Sequence, residues 1–327
     1  MENRFLFPRL PILAQFHVLQ MLEDVEILAY SLLSNRTFML AKCLKRKYAN
    51  SLTIDKNVKI SFGANVDLIF YQGQNPTEFQ VPTNVTVQVR GRGRTEEYCW
   101  ENLTLKIQKW IRHISSLFHY RRIAEIEIRQ SHEFTTEAIH STLKKFKCLD
   151  LFFRCRVPDT TNIQATPGLT PQRSLIFLAK NPFRNPADIQ KMLIQNVPTV
   201  RFHNFRNFQL NDLLSCNCEH ICAPNVYISA RELKKWFKLW ENGANPRLER
   251  MYFCFDTTDA EIDWLVENLA QYRELTREDC MKIVNEAADV RKRFEIWRKD
   301  RRGMAHVVLE RGFARNTYCA IHMKVLI

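Results

Sequence analysis

Between Cys216 and Cys222 the chain reads Cys-Asn-Cys-Glu-His-Ile-Cys, three thiols and an imidazole in seven residues. Thiolate and imidazole are what zinc selects, but a structural zinc site joins two ligand pairs from separate segments, and no second pair accompanies this one. His203 or Cys280 could complete a set only by accident of folding. The expectation is therefore buried cysteines in a helix-to-strand connection, with no metal and no cofactor. A second chemistry is suggested by basic runs: Arg90-Gly91-Arg92-Gly93-Arg94, then Arg291-Lys292-Arg293, Arg298-Lys299 and Arg301-Arg302, in a chain of net charge +13. Such runs can release counterions from a polyanion, which keeps a nucleic-acid-binding module as the alternative reading. Only Phe294 and Trp297 interleave with the charge, so a solvated face or a salt-sensitive protein partner fits equally.

Catalytic signatures are missing. There is no nucleophile elbow, phosphate loop, dinucleotide loop or metalloprotease helix. Glu125 and Glu127 alternate along a strand pattern, where a solvent-facing row explains them better than acid–base work. The expectation is a protein that is not an enzyme.

The elements that must position these residues belong to a folded chain. Of 327 residues 46% are hydrophobic and 25% charged, and Gly 8 with Pro 12 leaves no room for long flexible linkers. Ten cysteines are too sparse for a disulfide scaffold and suit a reducing compartment. The start shows no uninterrupted apolar signal region, and no window is long and apolar enough to span a membrane. Localisation is expected to be cytoplasmic and/or nuclear.

From Leu10 to Tyr48 the pattern is helical. Pro11 suits a first turn ahead of Ile12, Phe16, Val18, Leu19 and Leu22; Asp24 can cap a second helix bearing Ile27, Leu28 and Leu32; Ser34 can cap a third bearing Phe38, Leu40 and Leu44. Lys42, Lys45, Arg46 and Lys47 suit the dipole at the end of the third helix. Helices this short need an adjoining domain or partner to complete their burial. Leu10-Pro11, Val18-Leu19, Leu22, Glu26-Ile27-Leu28, Ser31, Ser34 and Phe38 resemble the F-box in order and spacing. The alternative is a plain capped three-helix subdomain. The resemblance implies docking on the Skp adaptor of cullin–RING ubiquitin ligases, through Leu10, Pro11, Val18, Leu19, Leu22, Ile27 and Leu28.

Residues 51–90 alternate as strands and predict a small antiparallel sheet, with a loop at Gln72–Pro76 and the basic run 90–94 ending it. Leu103 to Phe118 then reads as a helix. Further on, strand patterns begin near Ile123, Leu149, Leu175, Val200, Ile221 and Leu248, roughly every 25 residues, with helix patterns at Thr136–Phe146, Ala187–Gln195, Leu210–Ser215, Ala230–Asn242 and Thr258–Leu269. That period suits leucine-rich-repeat-like stacking, although no intact consensus survives; an ordinary α/β domain with a parallel sheet is the alternative. The run from Arg231-Glu232-Leu233 through Trp236-Phe237, Trp240, Asn242-Gly243 and Asn245-Pro246 to Leu248 resembles the nematode F-box-associated domain of the second type. Family members pair an N-terminal F-box with this domain. The aromatics of the run are expected to be core.

The fold class expected is α/β: a three-helix F-box at 5–48, a small antiparallel strand-rich connector with a helix at 50–120, and a leucine-rich-repeat-like strand–helix domain at 121–327. The resemblance implies the substrate-recognition subunit of an SCF-type E3 ubiquitin ligase, bridging a Skp adaptor, and through it cullin, to an unknown target protein. Nucleic acid and membrane are not expected partners. Polar residues alternating with core residues on successive strands are the candidate target surface: Glu125, Glu127, Arg201, His203, Arg250 and Tyr252.

Overall fold

The computed structural model describes residues 7–71, 79, 81–82, 84–91, 93–101, 105–129, 136–154, 169–178, 186–203, 205, 208–224, 226, 228–267, 269, 272–275, 290–299, 303–311 and 318–326. The chain divides into two units, residues 1–127 with 133–148 and residues 128–132 with 149–327. Both are mixed α/β. The segments 5–48 and 50–120 lie together in the first.

Three short helices open the first unit: α1 (Ile12–Met21), α2 (Asp24–Ser31) and α3 (Asn35–Lys42). Ser34 caps α3, its Oγ accepting from the Thr37 N–H at 3.2 Å. Asp24 does not cap α2, contrary to expectation. Glu23 holds that place, its N–H donating to Glu26 Oε2 at 2.8 Å. The cause is Arg46, which takes Asp24 at 2.7 Å while donating to Gln20 O and Leu22 O at 2.9 and 2.8 Å. Arg46 thus satisfies orphan carbonyls at the end of α1 rather than serving α3.

A meander follows, β1 (Asn50–Ile54), β2 (Asn57–Phe62), β3 (Val66–Tyr71), β4 (Asn84–Arg90) and β5 (Thr95–Glu101), each antiparallel to the last. Alternation puts Leu52, Ile60, Leu68 and Val87 in register on one buried face. Against this core α4 (Ile107–Leu117) packs, with Trp110 5.7 Å from Phe70, and Phe118 just beyond it 5.2 Å from Phe62. The basic run 90–94 does not end the sheet. It turns the chain into β5: the Gly91 N–H donates to Arg94 O at 2.7 Å and Gly93 adopts φ +83°. Nearly all of β5 is exposed, so its sequence carries no alternation to read. Arg92, the loop at 72–76 and the expected helix start at Leu103 lie outside the described residues; α4 begins at Ile107. Next to β1 in the sheet is β6 (Ile123–Ile128), and α5 (Thr136–Leu143) completes the unit.

The N-terminal helices are fastened to α4. Ser31 Oγ lies 2.7 Å from His113 Nε2, Lys42 Nζ donates to Ser116 Oγ at 3.0 Å, and His119 Nε2 lies 2.8 Å from Lys42 O.

In the second unit β7 (Cys148–Phe153), β8 (Ser174–Phe177), β9 (Thr199–Phe202), β10 (His220–Ala223) and β11 (Arg250–Asp256) run parallel and neighbour one another in chain order. Between them come α6 (Pro186–Leu193), α7 (Leu210–Ser215) and α8 (Ala230–Glu241), with α9 (Asp259–Glu267) after β11. One face of this sheet is apolar: Leu175, Val200, Ile221 and Met251 share a register row, and the Phe153, Phe177 and Phe202 rings stack at 5.5 and 5.1 Å. Each such side chain contributes on the order of 1.5–3 kcal/mol by leaving water.

Among the described residues, the strand–helix alternation expected to continue to residue 327 is not seen beyond α9. The chain instead adds β12 (Tyr272–Glu274), β13 (Val290–Trp297), β14 (Met304–Arg311) and β15 (Tyr318–Leu326), all antiparallel, with β15 against β11. Apolar residues recur at every second position, Ala305, Val307 and Leu309 in β14 and Cys319, Ile321 and Met323 in β15, but Val308 and Ala320 on the other face are buried as well. Charged residues at 291–293 obscured the alternation in β13, whose Phe294 and Ile296 are buried.

The aromatic run of α8 is core, with Trp236, Phe237 and Trp240 fully buried. Ser229 and Glu232 form a capping box at its start. At its end Gly243, at φ +99°, donates to Trp240 O while Ala244 donates to Leu239 O, a Schellman closure. Asn245 then takes φ +48° and is 5% exposed. Its Oδ1 accepts from Trp236 Nε1 at 2.9 Å and its Nδ2 donates to Leu213 O and Cys216 O at 3.0 and 2.7 Å.

Candidate functional site

On the first unit the notable surface is apolar. In α1 only Gln15 and Leu19 are buried, while Ile12, Leu13 and Met21 are 60%, 73% and 86% exposed. Val18, Leu33 and Met39 are exposed as well. A helix this apolar would ordinarily turn most of such residues inward, so their exposure makes these helices a candidate interaction surface. The residues nominated from sequence divide. Pro11 and Val18 are exposed, Leu10 and Leu22 half-buried, and Leu19, Ile27 and Leu28 at most 1% exposed. The buried three hold the helices together, and the apolar exposure falls instead on Ile12, Leu13, Met21, Leu33 and Met39, which spacing alone did not single out. Gln15 Nε2 donates to Leu10 O at 2.7 Å, fixing the entry to α1.

The second candidate surface is the sheet face opposite the helices of the second unit. Register fixes its rows. Arg201, Cys222, Tyr252 and His322 are successive neighbours across β9, β10, β11 and β15. Thr199, His220, Arg250 and Lys324 form the next row. Arg201 and Arg250 are exposed; Tyr252 is half-buried, and so is His203 just beyond β9. Arg201, Arg250 and Tyr252 therefore share a unit and a face, with His203 just past the end of β9, whereas Glu125, exposed, and Glu127, half-buried, lie on β6 in the first unit. His322 and Lys324 were missed because β15 itself was missed.

Burial shapes the electrostatics of this face. Tyr252 packs its ring 4.6 Å from His322, and its hydroxyl lies 3.4 Å from Cys254 Sγ. Burial first, then the contact with Cys254, drives the Tyr252 phenol above its ordinary range. Burial likewise raises the Cys222 thiol, against an opposing pull from Arg201, and lowers His322. His322 Nε2 lies 3.2 Å from Glu310 Oε2, and burial raises that carboxyl. Burial thus favours the neutral forms of Cys222, Tyr252 and His322, which lie between Arg201 and Lys324.

The Cys216–Cys222 segment is split by the same sheet. Cys216 and Cys218 are buried, Cys216 Sγ donating to Asp212 O at 3.3 Å, and the neighbouring Cys218 thiol together with burial pushes Cys216 up. His220 and Cys222 lie on the opposite face, His220 3.6 Å from Glu249. Among the described residues no three His, Cys, Asp or Glu side chains are grouped to hold a metal ion. Of the C-terminal basic runs, Lys292 pairs with Asp263 at 2.9 Å. Arg298 lies over Trp240 at 4.8 Å and donates to Ala244 O and Asn245 O at 3.3 and 3.0 Å. These cations are engaged within the unit; Arg301, Arg302 and Cys280 lie outside the described residues. No described helix is long and apolar enough to cross a membrane.

A family model described as F-box associated matches residues 188–253, from α6 into β11. The match takes in Arg201, His203, Arg250 and Tyr252 as well as α8. No curated protein and no solved structure matches the chain.

Proposed function

We propose that this protein is the substrate-recognition subunit of an SCF-type E3 ubiquitin ligase, its N-terminal helices acting as an F-box that docks on a Skp adaptor and its second unit holding a target protein. The observation that carries the reading is the F-box-associated match at 188–253 in a chain whose N-terminal helices leave Ile12, Leu13, Val18 and Met21 exposed. Such residues cover a partner's apolar groove, whereas Leu19, Ile27 and Leu28 supply the scaffold that presents them. The role is one of proximity. A bound target lysine near a ubiquitin thioester gains effective concentration, and the covalent chemistry belongs to the partners. The sheet face carrying Arg201, Arg250 and Tyr252 is the proposed target surface, with His203 at its edge.

The test is capture of a purified Skp adaptor by the full-length chain. Leu13→Asp with Met21→Asp should weaken capture at least about tenfold, since two exposed apolar anchors become charged without disturbing the core. Leu10→Ala with Pro11→Ala should also weaken it. Undiminished capture by both variants, or no capture by the parent chain, sinks the reading.

A further inference from the structure

We infer that the part of this sheet face formed by β9, β10, β11 and β15 docks an acidic peptide segment, with Arg201, Arg250 and Lys324 receiving its carboxylates over a floor of Cys222, Tyr252 and His322. The inference rests on the receptor reading of this face and gives its target a chemistry.

Three observations carry it. First, Arg250 and Lys324 are direct cross-strand partners in β11 and β15. Like charges so placed repel, and a fold has no structural use for the arrangement. Second, neighbouring charges of the same unit are compensated. Asp150 is held by Arg173, His220 lies 3.6 Å from Glu249, His306 lies 3.4 Å from Glu295, and His322 lies 3.2 Å from Glu310. No ion pair among the described residues engages Arg201, Arg250 or Lys324. Third, the reach is right. Arg201 stands two strands from Arg250, about 10 Å at the usual strand spacing, so an extended segment crossing the strands meets both guanidinium groups. Arginine in particular favours carboxylates, which it grips with two parallel hydrogen bonds.

The carboxylates on or beside this surface among the described residues, Glu249, Glu295 and Glu310, each face a histidine, at 3.6, 3.4 and 3.2 Å. Glu295 and Glu310 are largely buried, so they oppose an incoming anion less than the exposed Arg201 and Arg250 attract one. A polynucleotide fits less well. The rings of Tyr252 and His322 pack on each other rather than standing free for bases, and the cations form a short arc instead of a track.

The probe is a short fluorescent peptide of alternating Asp and Ala, titrated into the full-length chain beside its Asn-Ala counterpart and a single-stranded DNA oligomer. The Asp-Ala peptide should bind, weaken with added salt, and lose about tenfold in affinity on Arg250→Glu. That variant should keep or raise its unfolding midpoint, because the new carboxylate would face Lys324 as an opposite charge. Arg201→Gln, on an exposed side chain, should weaken the peptide even if Arg250→Glu proves unstable. Equal binding of the Asn-Ala peptide, tighter binding of DNA, or affinity unchanged by either variant overturns the inference. Adaptor capture is measured on the same samples. Capture retained without peptide binding removes only the acidic-peptide assignment, whereas peptide binding without capture removes the ligase reading.

Discussion

Asn245 shows how much one residue can carry. Its amide links α8, through Trp236, to the last carbonyls of α7, and it does so from a left-handed backbone that asparagine tolerates better than most residues. Asn245→Ala removes three buried hydrogen bonds and leaves an indole N–H and two carbonyls without their partner. The expected cost is about 2–4 kcal/mol, read as a lower urea midpoint with an unchanged slope. The sequence marks this residue only as part of an Asn-Pro turn; its side-chain partners lie 9, 29 and 32 positions away, beyond any local pattern. The same limit applies to Arg46, whose service to α1 depends on a chain path that charge spacing does not encode.

Between elements, the joint of α2 and α3 with α4 carries a titration. Burial holds His113 below its ordinary 6.5, with Ser31 Oγ 2.7 Å from Nε2 and the Phe38 ring at 4.8 Å. A depressed folded-state value means the unfolded chain binds the proton more readily. The stability this residue lends is complete above about pH 6.5 and lost progressively as pH falls below it. Unfolding midpoints compared at neutral and mildly acidic pH should fall less in His113→Gln, which keeps a hydrogen bond to Ser31 without taking up a charge; an equal fall in both proteins would exclude His113 as the source. Elements with one buried face were legible in advance, such as β2, β6 and α8, because burial writes its period into the residues. By contrast β5, exposed nearly throughout, and β13, with its run of cations, wrote none. The candidate target surface was half legible: β9 and β11 gave up Arg201 and Arg250, but Lys324 sits on β15, which lies past the last strand–helix unit read from the sequence.

At the scale of the whole molecule, the two units divide the proposed labour of recognition by chemistry, apolar on the first and cationic on the second. The cations behind the net charge of +13 are not alike: Lys292 and Arg298 are engaged internally, while Arg201, Arg250 and Lys324 enter no ion pair among the described residues. The bare row on α1 has a consequence for the life of the chain in a cell. Until a partner covers Ile12, Leu13 and Met21, they offer chaperones and quality-control proteases the same signal a misfolded protein does. Abundance should then follow supply of the partner: in a pulse-chase comparison, co-expressing the adaptor is expected to lengthen the half-life of the parent chain several-fold and to leave a Leu13→Asp, Met21→Asp variant unchanged. On the receptor reading proposed above, a chain that survives only in company sets its own stoichiometry, and surplus copies remove themselves before they can sequester targets unproductively.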